Sequence, residues 1–313
     1  MDTFSNWQNI KDKYNNIVVG LGNFDGVHLG HRVLITEMVK RAGELNGTPV
    51  IFTFYPHPTA ILNPESAPPM LLTREAKQSF ISRLGVKVLL EVPFTREFAR
   101  ITPRDFAARI IAEDLSALAV FVGYNYTFGY RGSGTPEQLR EFGRQHNFEV
   151  HVIPPVEVED KPVSSTAIRQ HIQAGDVWEA RKLLGYRPFV DGTVVYGERR
   201  GSQLGFPTAN LELPGDVIVP GNGVYAVKVQ VDGDTYWGVA NVGTRPTFHG
   251  LNYRRNLEVH LLDFCRSLYG QRIKVFFTQR IREEKRFQSV AELVEQIHRD
   301  IDIARSSVLQ SPS

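Results

Sequence analysis

The chain reads as an α/β protein in two parts: a parallel sheet with helices on both faces, then a closed six-stranded antiparallel barrel and a terminal helix. Three observations predict this. Through the first half, short apolar runs alternate with segments of helical periodicity, the rhythm of βαβ units. Near residue 185 that rhythm breaks at Gly185-Tyr186-Arg187-Pro188. Beyond the break, apolar runs follow one another with only turns between them, as in a barrel.

Strand candidates in the first half are 17–20, 49–54, 86–92, 118–123 and 148–153, and helical patterns occupy 30–45, 73–84, 103–115 and 136–146. In the first helix, Leu34, Ile35, Met38, Ala42 and Leu45 recur at three- and four-residue steps. Ser164 to Leu184 reads as two short helices separated by Ala174-Gly175-Asp176. The six barrel strands are expected at 189–196, 208–213, 224–231, 235–242, 256–263 and 272–280, with an Asp-Gly hairpin turn at Asp232-Gly233. Val290, Leu293, Ile297 and Ile301 line one face of a terminal helix over 289–305. The expected domains are therefore 1–184 and 185–313.

Composition narrows the function classes. A hydrophobic fraction of 42% over 313 residues is ample for two cores. A net charge of +2 gives no electrostatic footprint for nucleic acid. The basic clusters Arg199-Arg200 and Arg280 to Arg286 read as solvated faces, although Arg199 or Arg200 could serve a nucleotide phosphate. The lone cysteine, Cys265, excludes an intrachain disulfide and a cysteine-cluster metal site, and beside Phe264 it is expected to be packed. The longest uncharged run, Ser116 to Tyr130, is shorter than the roughly 18 residues a membrane span requires. The segment MDTFSNWQNIKDKY has no apolar core of signal-peptide length. A cytoplasmic protein with no membrane or nucleic-acid partner is expected, its oligomeric state left open.

The richest chemistry lies in GNFDGVHLGH, residues 22–31, between the first strand and the first helix. Glycines let a backbone approach phosphate, and a helix N-terminus offers amides and a favourable dipole. His28 and His31 flank Gly30 and add two imidazoles. This H-x-G-H turn is similar to the signature of nucleotidyltransferases that act on nucleoside triphosphates. Gly22, Asn23, Phe24, Asp25 and Gly30 complete the candidate phosphate turn. Further candidates follow the second and fourth strands: Pro56-His57-Pro58 and the loop Gly123 to Gly134.

A second set opens the barrel. Gly197, Gly201 and Gly205 are spaced four residues apart, followed by Pro207-Thr208-Ala209-Asn210. Thr208 and Asn210 alternate along a strand, so their oxygens share a face suited to magnesium. A glycine-rich hairpin explains the same pattern, and the motif alone does not decide. In Leu257-Glu258-Val259-His260-Leu261, Glu258 and His260 fall opposite the apolar residues. Glu258 could act as a general base; an exposed strand glutamate is the commoner explanation of such a residue standing alone.

Taken together, the motifs resemble those of the prokaryotic bifunctional riboflavin kinase/FAD synthetases, over about residues 15 to 302. The resemblance is carried by GNFDGVHLGH, PHP at 56–58, FVGYNYTFG, SSTAIR at 164–169, GFPTAN at 205–210, GVYAV at 223–227, NVGTRPTF at 241–248, LEVHLLDF at 257–264, LYG at 268–270 and REEKRF at 282–287. It implies a Rossmann-like nucleotidyltransferase domain that adenylylates FMN to FAD, and a C-terminal flavokinase barrel that makes FMN from riboflavin, with ATP and Mg²⁺. On this resemblance His28, His31, Ser164, Ser165, Thr166 and Arg169 meet ATP phosphates in the first domain. Pro56, His57, Pro58, Asn125 and Phe128 contact flavin. Gly197, Gly201, Gly205 and Pro207 contact nucleotide in the second, Thr208 and Asn210 hold the metal, and Glu258 is the catalytic base. Two positions depart from the family pattern. Tyr55 stands where FDPHP carries its aspartate, and Tyr124-Asn125 where an acidic residue is common. Rival readings are another H-x-G-H adenylyltransferase, for pantetheine phosphate or nicotinamide mononucleotide, a non-catalytic flavin sensor, and a nucleic-acid-binding barrel.

Overall fold

A computed structural model describes residues 1–197, 200–245 and 254–309. Two compact units emerge. One comprises Met1–Pro69 and Arg74–Ser164; the other comprises Met70–Thr73 and Ser165–Ser313.

The first unit is built on β1 (Asp2–Phe4), β2 (Ile17–Leu21), β3 (Thr48–Phe54), β4 (Val88–Val92), β5 (Ala119–Gly123) and β6 (Glu149–Ile153), in the order β1-β4-β3-β2-β5-β6. Every pairing in this sheet is parallel. The helices are α1 (Leu29–Glu44), α2 (Pro58–Leu62), α3 (Arg74–Arg83), α4 (Pro103–Asp105, running into a π-helix at Phe106–Asp114) and α5 (Pro136–His146). Alternate residues of the strands feed opposite faces. Val19, Leu21, Val50, Phe52 and Val120 join Phe106, Ile110, Ile111 and Leu139 in one core. On the other face α1 lies so close that a side chain at Gly20 would come within 2.9 Å of Met38. The strand order reverses between β2 and β5, and the carboxyl ends of strands at such a point are where open α/β sheets bind ligands.

All five expected strands of this sheet are present. β1 was not expected because three partly exposed residues carry no periodicity; it is held by parallel pairing to Val88–Leu90. A small hairpin, β7 (Glu157–Val158) and β8 (Lys161–Pro162), turns through Glu159 and Asp160, both at positive φ.

The second unit contains the barrel: β9 (Phe189–Val195), β10 (Ala209–Glu212), β11 (Gly223–Val231), β12 (Asp234–Arg245), β13 (Arg254–Leu261) and β14 (Arg272–Arg282). It closes in the order β10-β13-β12-β11-β14-β9 with antiparallel pairing throughout. Val194, Leu211, Val227, Val229, Leu257, Val259 and Phe277 fill its interior. Asp232 and Gly233, at φ 49° and 92°, form the expected hairpin turn. Among the described residues, four helices accompany it: α6 (Ser165–Ala174), α7 (Val177–Leu184), α8 (Arg200–Gln203) and α9 (Val290–Leu309). Arg282 holds α9 through three contacts of 2.8–3.0 Å to the buried Asp300.

Helices α6 and α7 group with the barrel although they precede the breaker at Gly185. Their buried Ile168, Ile172, Val177, Ala180, Leu183 and Leu184 account for it, and Val177 belongs to the barrel core. The amide of Gly221 bonds the carbonyl of Ile172 at 3.0 Å. Met70 adds a short bridge to Val217 in the same unit. The expected packed Cys265 is corrected: it is exposed. Past the end of β13 the chain turns at Asp263, φ 56°, so Phe264 packs on the barrel and its neighbour faces out.

Candidate active sites

In the first unit the GNFDGVHLGH turn departs from β2 through left-handed backbone at Phe24, Gly26 and Val27. Val27, at φ 36°, is an uncommon conformation for a β-branched residue and marks the turn as strained. His28 is the N-cap of α1, its Nδ1 accepting from the His31 amide at 3.3 Å. A neutral His28 therefore carries its proton on Nε2. The two imidazoles stack, with centroids 3.6 Å apart and planes inclined by 14°. Gly30 leaves the space this needs; an added Cβ would lie 3.3 Å from the His28 ring. Phe24 is buried and props the His31 ring at 5.2 Å. His31 Nδ1 is buried without a hydrogen-bond partner. Burial first, then the positive potentials of His28 and Lys77, hold the His31 pKa well below its ordinary 6.5, so this imidazole is neutral.

The loop after β3 meets this turn. Asn23 contacts His57 Nε2 at 3.2 Å, and the Thr53 hydroxyl donates to the Asn23 carbonyl at 3.1 Å. His57 repeats the capping seen at His28: its Nδ1 accepts from the Thr59 amide at the start of α2, where Pro58 is the first residue. Gly22, Asp25 and Pro56 lie in the same two segments, and Asp25 is buried. After β5, Asn125 is exposed, whereas Phe128 is core, stacked on Tyr126 and tilted against Phe106. Phe128 thus supports the loop from inside. The SSTAIR segment is divided: Ser164 ends the first unit, while Ser165, Thr166 and Arg169 belong to the second with α6.

On the barrel, pairing register assembles the second site. Glu258 lies opposite Asn210 of β10 and Asn241 of β12, one on each side. Leu257 and Val259 point inward, so this polar row lies on the outer wall. Asn256 donates to Glu258 Oε1 at 2.7 Å. The spaced glycines acquire distinct reasons. A Cβ at Gly197 would lie 2.2 Å from the Asn210 amide, and one at Gly201 would lie 2.4 Å from the Phe206 carbonyl and 3.4 Å from the Thr208 hydroxyl. Gly205 takes φ 87°. His260 bonds the Pro207 carbonyl through Nδ1 at 2.8 Å, tying the GFPTAN segment to β13. Asn210 Oδ1 is buried with no hydrogen-bond partner, an oxygen ready for a hard cation. Arg199 lies outside the described residues. Arg280 is engaged with the Asn222 carbonyl at 2.6 Å and Arg282 with Asp300, so both serve the fold.

Residues 10–167 match the FAD synthetase family model, and residues 184–308 match that of riboflavin kinase. A bifunctional riboflavin kinase/FMN adenylyltransferase of Bacillus subtilis is 39% identical over 93% of this chain and 92% of its own length. One of Pseudomonas fluorescens is 38% identical over 97% and 96%. The chain belongs to the bifunctional riboflavin kinase/FMN adenylyltransferase family. A crystal structure from Streptococcus pneumoniae, described as a macrolide-efflux protein, shares the architecture: TM-score 0.88, 35% identity, covering 97% of this chain and 98% of that one. No helix among the described residues here is long and apolar enough to cross a membrane. In this family member, Asn241 and Asn256 were not expected beside Glu258: the two-residue spacing of Asn256 and Glu258 on one strand carried a local signal, whereas the pairing with Asn241 comes from the barrel register. Lys77 and Glu91, both buried, were not expected either, although a glutamate within the apolar run VKVLLEV is a visible anomaly.

Proposed function

We infer that this chain carries out both steps of FAD assembly: ATP-dependent phosphorylation of riboflavin to FMN by the barrel unit, and adenylylation of FMN by the parallel-sheet unit with release of pyrophosphate. The observation that carries the reading is the barrel register, which sets Glu258 between Asn210 and Asn241 beside the GFPTAN segment. A different H-x-G-H adenylyltransferase has no use for that arrangement.

The two reactions make different demands. The ribityl hydroxyl of riboflavin must lose a proton as it attacks the γ-phosphate, and Glu258, oriented by Asn256, is the base that takes it. Thr208 and Asn210 are the residues that would hold Mg²⁺, a fit supported by the orphaned Asn210 oxygen. The ion would neutralise phosphate charge. Gly197, Gly201, Gly205 and Pro207 give the nucleotide its close approach. FMN already carries an anionic phosphate, so adenylyl transfer requires positioning and charge stabilisation rather than a strong base. His28 and His31 contact the ATP phosphates, with Gly22, Asn23, Asp25 and Gly30 shaping the turn. Ser164, at the end of the parallel-sheet unit, opens the segment that resembles the family's second phosphate motif, and Pro56, His57, Pro58 and Asn125 receive the flavin. The compartment is the cytoplasm, which suits a chain whose single cysteine is exposed.

Incubation of the pure protein with riboflavin, ATP and Mg²⁺, with chromatographic separation of flavins, tests the reading. FMN followed by FAD is the expected result. Flavin binding without conversion makes the protein a sensor, and absence of flavin interaction overturns the assignment.

A further inference from the structure

Glu91, near the end of β4, is a fully buried carboxylate in an otherwise apolar strand. Three residues of α3 converge on it, at spacings that place them on one helical face. Arg74 binds Oε2 through Nε, Gln78 Nε2 donates to the same oxygen at 3.2 Å, and Lys77 Nζ lies 3.7 Å from Oε1. A leucine would fill such a position at lower desolvation cost, so packing alone does not account for the carboxylate.

The contacts continue from Arg74 into both ligand loops and close a ring. The Arg74 guanidinium lies over the Tyr55 ring, 5.0 Å from its centroid. Tyr55 directly precedes Pro56-His57, and His57 contacts Asn23 of the H-x-G-H turn at 3.2 Å. The Asn23 carbonyl accepts from Thr53, whose parallel partner across β3 and β4 is Glu91 itself. Tyr55 is also the position where the family pattern has an aspartate. Here an aromatic face, steadied by a carboxylate-bound arginine, stands at the root of the flavin loop.

We propose that Glu91 and Arg74 are positioning residues for FAD formation, fixing the Tyr55-Pro56-His57 loop against the phosphate turn so that FMN is received in one orientation. This rests on the assignment of FMN adenylylation to the first unit. Arg74 acts through Tyr55 and requires no contact with the reacting atoms.

The test uses the full chain, with FMN formation from riboflavin as an internal reference. Arg74→Met and Tyr55→Ala change partly exposed side chains and are each expected to raise the KM for FMN about tenfold with kcat within about threefold, the signature of lost substrate binding. Tyr55→Phe keeps the ring and is expected to stay within about twofold of wild type. Riboflavin phosphorylation is expected to be unchanged in all three. An unchanged KM for FMN in both Arg74→Met and Tyr55→Ala overturns the proposal, as does a fall in kcat alone. Loss of both activities in both variants makes the contacts structural and overturns it too. A wild-type chain that makes no FAD from FMN and ATP overturns the adenylyltransferase assignment instead.

Discussion

The two candidate sites are built from opposite materials. In the parallel-sheet unit the ligand turn is built from stacked imidazoles at a helix N-terminus, with His31 held neutral by burial. In the barrel unit the site is a row of amides around one carboxylate, set by strand register on the outer wall. On the proposed functions, the difference matches the nucleophile. A phosphate arrives already charged and asks for donors; a hydroxyl arrives neutral and asks for a base. On the proposed assignment, each unit supplies the groups that its own reaction demands.

The sharpest way to break this contrast is to remove the base. Glu258→Gln preserves shape and the cross-strand position, so riboflavin kinase turnover should fall by about 10²–10⁴-fold. FAD formation from supplied FMN should be unaffected. A near-normal kinase kcat would reduce Glu258 to a strand residue and erase the distinction between the sites. The converse substitution, His31→Ala, should lower FAD formation from FMN by about 10²–10³-fold, the scale of losing one preorganised donor. FMN formation should be spared. Equal activity of this variant in the FAD assay would remove the imidazoles from the mechanism.

The same contrast explains what could be read from the sequence. Local signals carried far: the βαβ rhythm, the Asp232-Gly233 turn and the GNFDGVHLGH turn all depend on neighbouring residues, and each forms as its pattern requires. Non-local placement was harder. That Glu258 faces Asn210 and Asn241 depends on which strands close the barrel, and nothing within LEVH states it. Phe128 resembles a ligand-facing aromatic in FVGYNYTFG, but its ring enters the core once the loop folds back to pair with Gly134. Glu91 shows the remaining case: its partners come from α3, and a periodicity window sees only a misplaced charge.

Whether the units are separable depends on α6 and α7. A barrel fragment starting near Leu184 discards Val177, Ala180 and Leu183, all buried, and Val177 lies within the barrel core. Burying a large apolar side chain contributes roughly 1.5–3 kcal/mol, so the loss is several kcal/mol of a marginal total. We therefore expect residues 165–313 to fold cooperatively and phosphorylate riboflavin without making FAD. Residues 184–313 should melt at lower temperature or aggregate. Equal melting temperatures for the two fragments would show that the helices are dispensable to the barrel and return the boundary to Gly185.

The smallest effect, and the one that isolates the imidazole site, is a pH dependence. His31 titrates well below its ordinary 6.5 because burial, His28 and Lys77 all disfavour its cation. An unfolded chain accepts that proton as pH falls through 6.5, whereas the folded chain declines it until its lower pKa is reached. The contribution to stability is thus complete above the unfolded value and is lost as pH falls toward the folded one, by up to about 1.4 kcal/mol per pH unit. His31→Gln removes this titration and leaves the other groups in place. Urea unfolding of the wild type and the variant, followed from about pH 7.5 to about pH 5.5, should therefore show the wild type losing stability faster, so that any advantage it holds at neutral pH shrinks on acidification. Parallel profiles would mean that His31 accepts a proton in the folded state as readily as in water. The neutral-donor account of the adenylyltransferase turn would then have to give way to one in which a cation meets the phosphates.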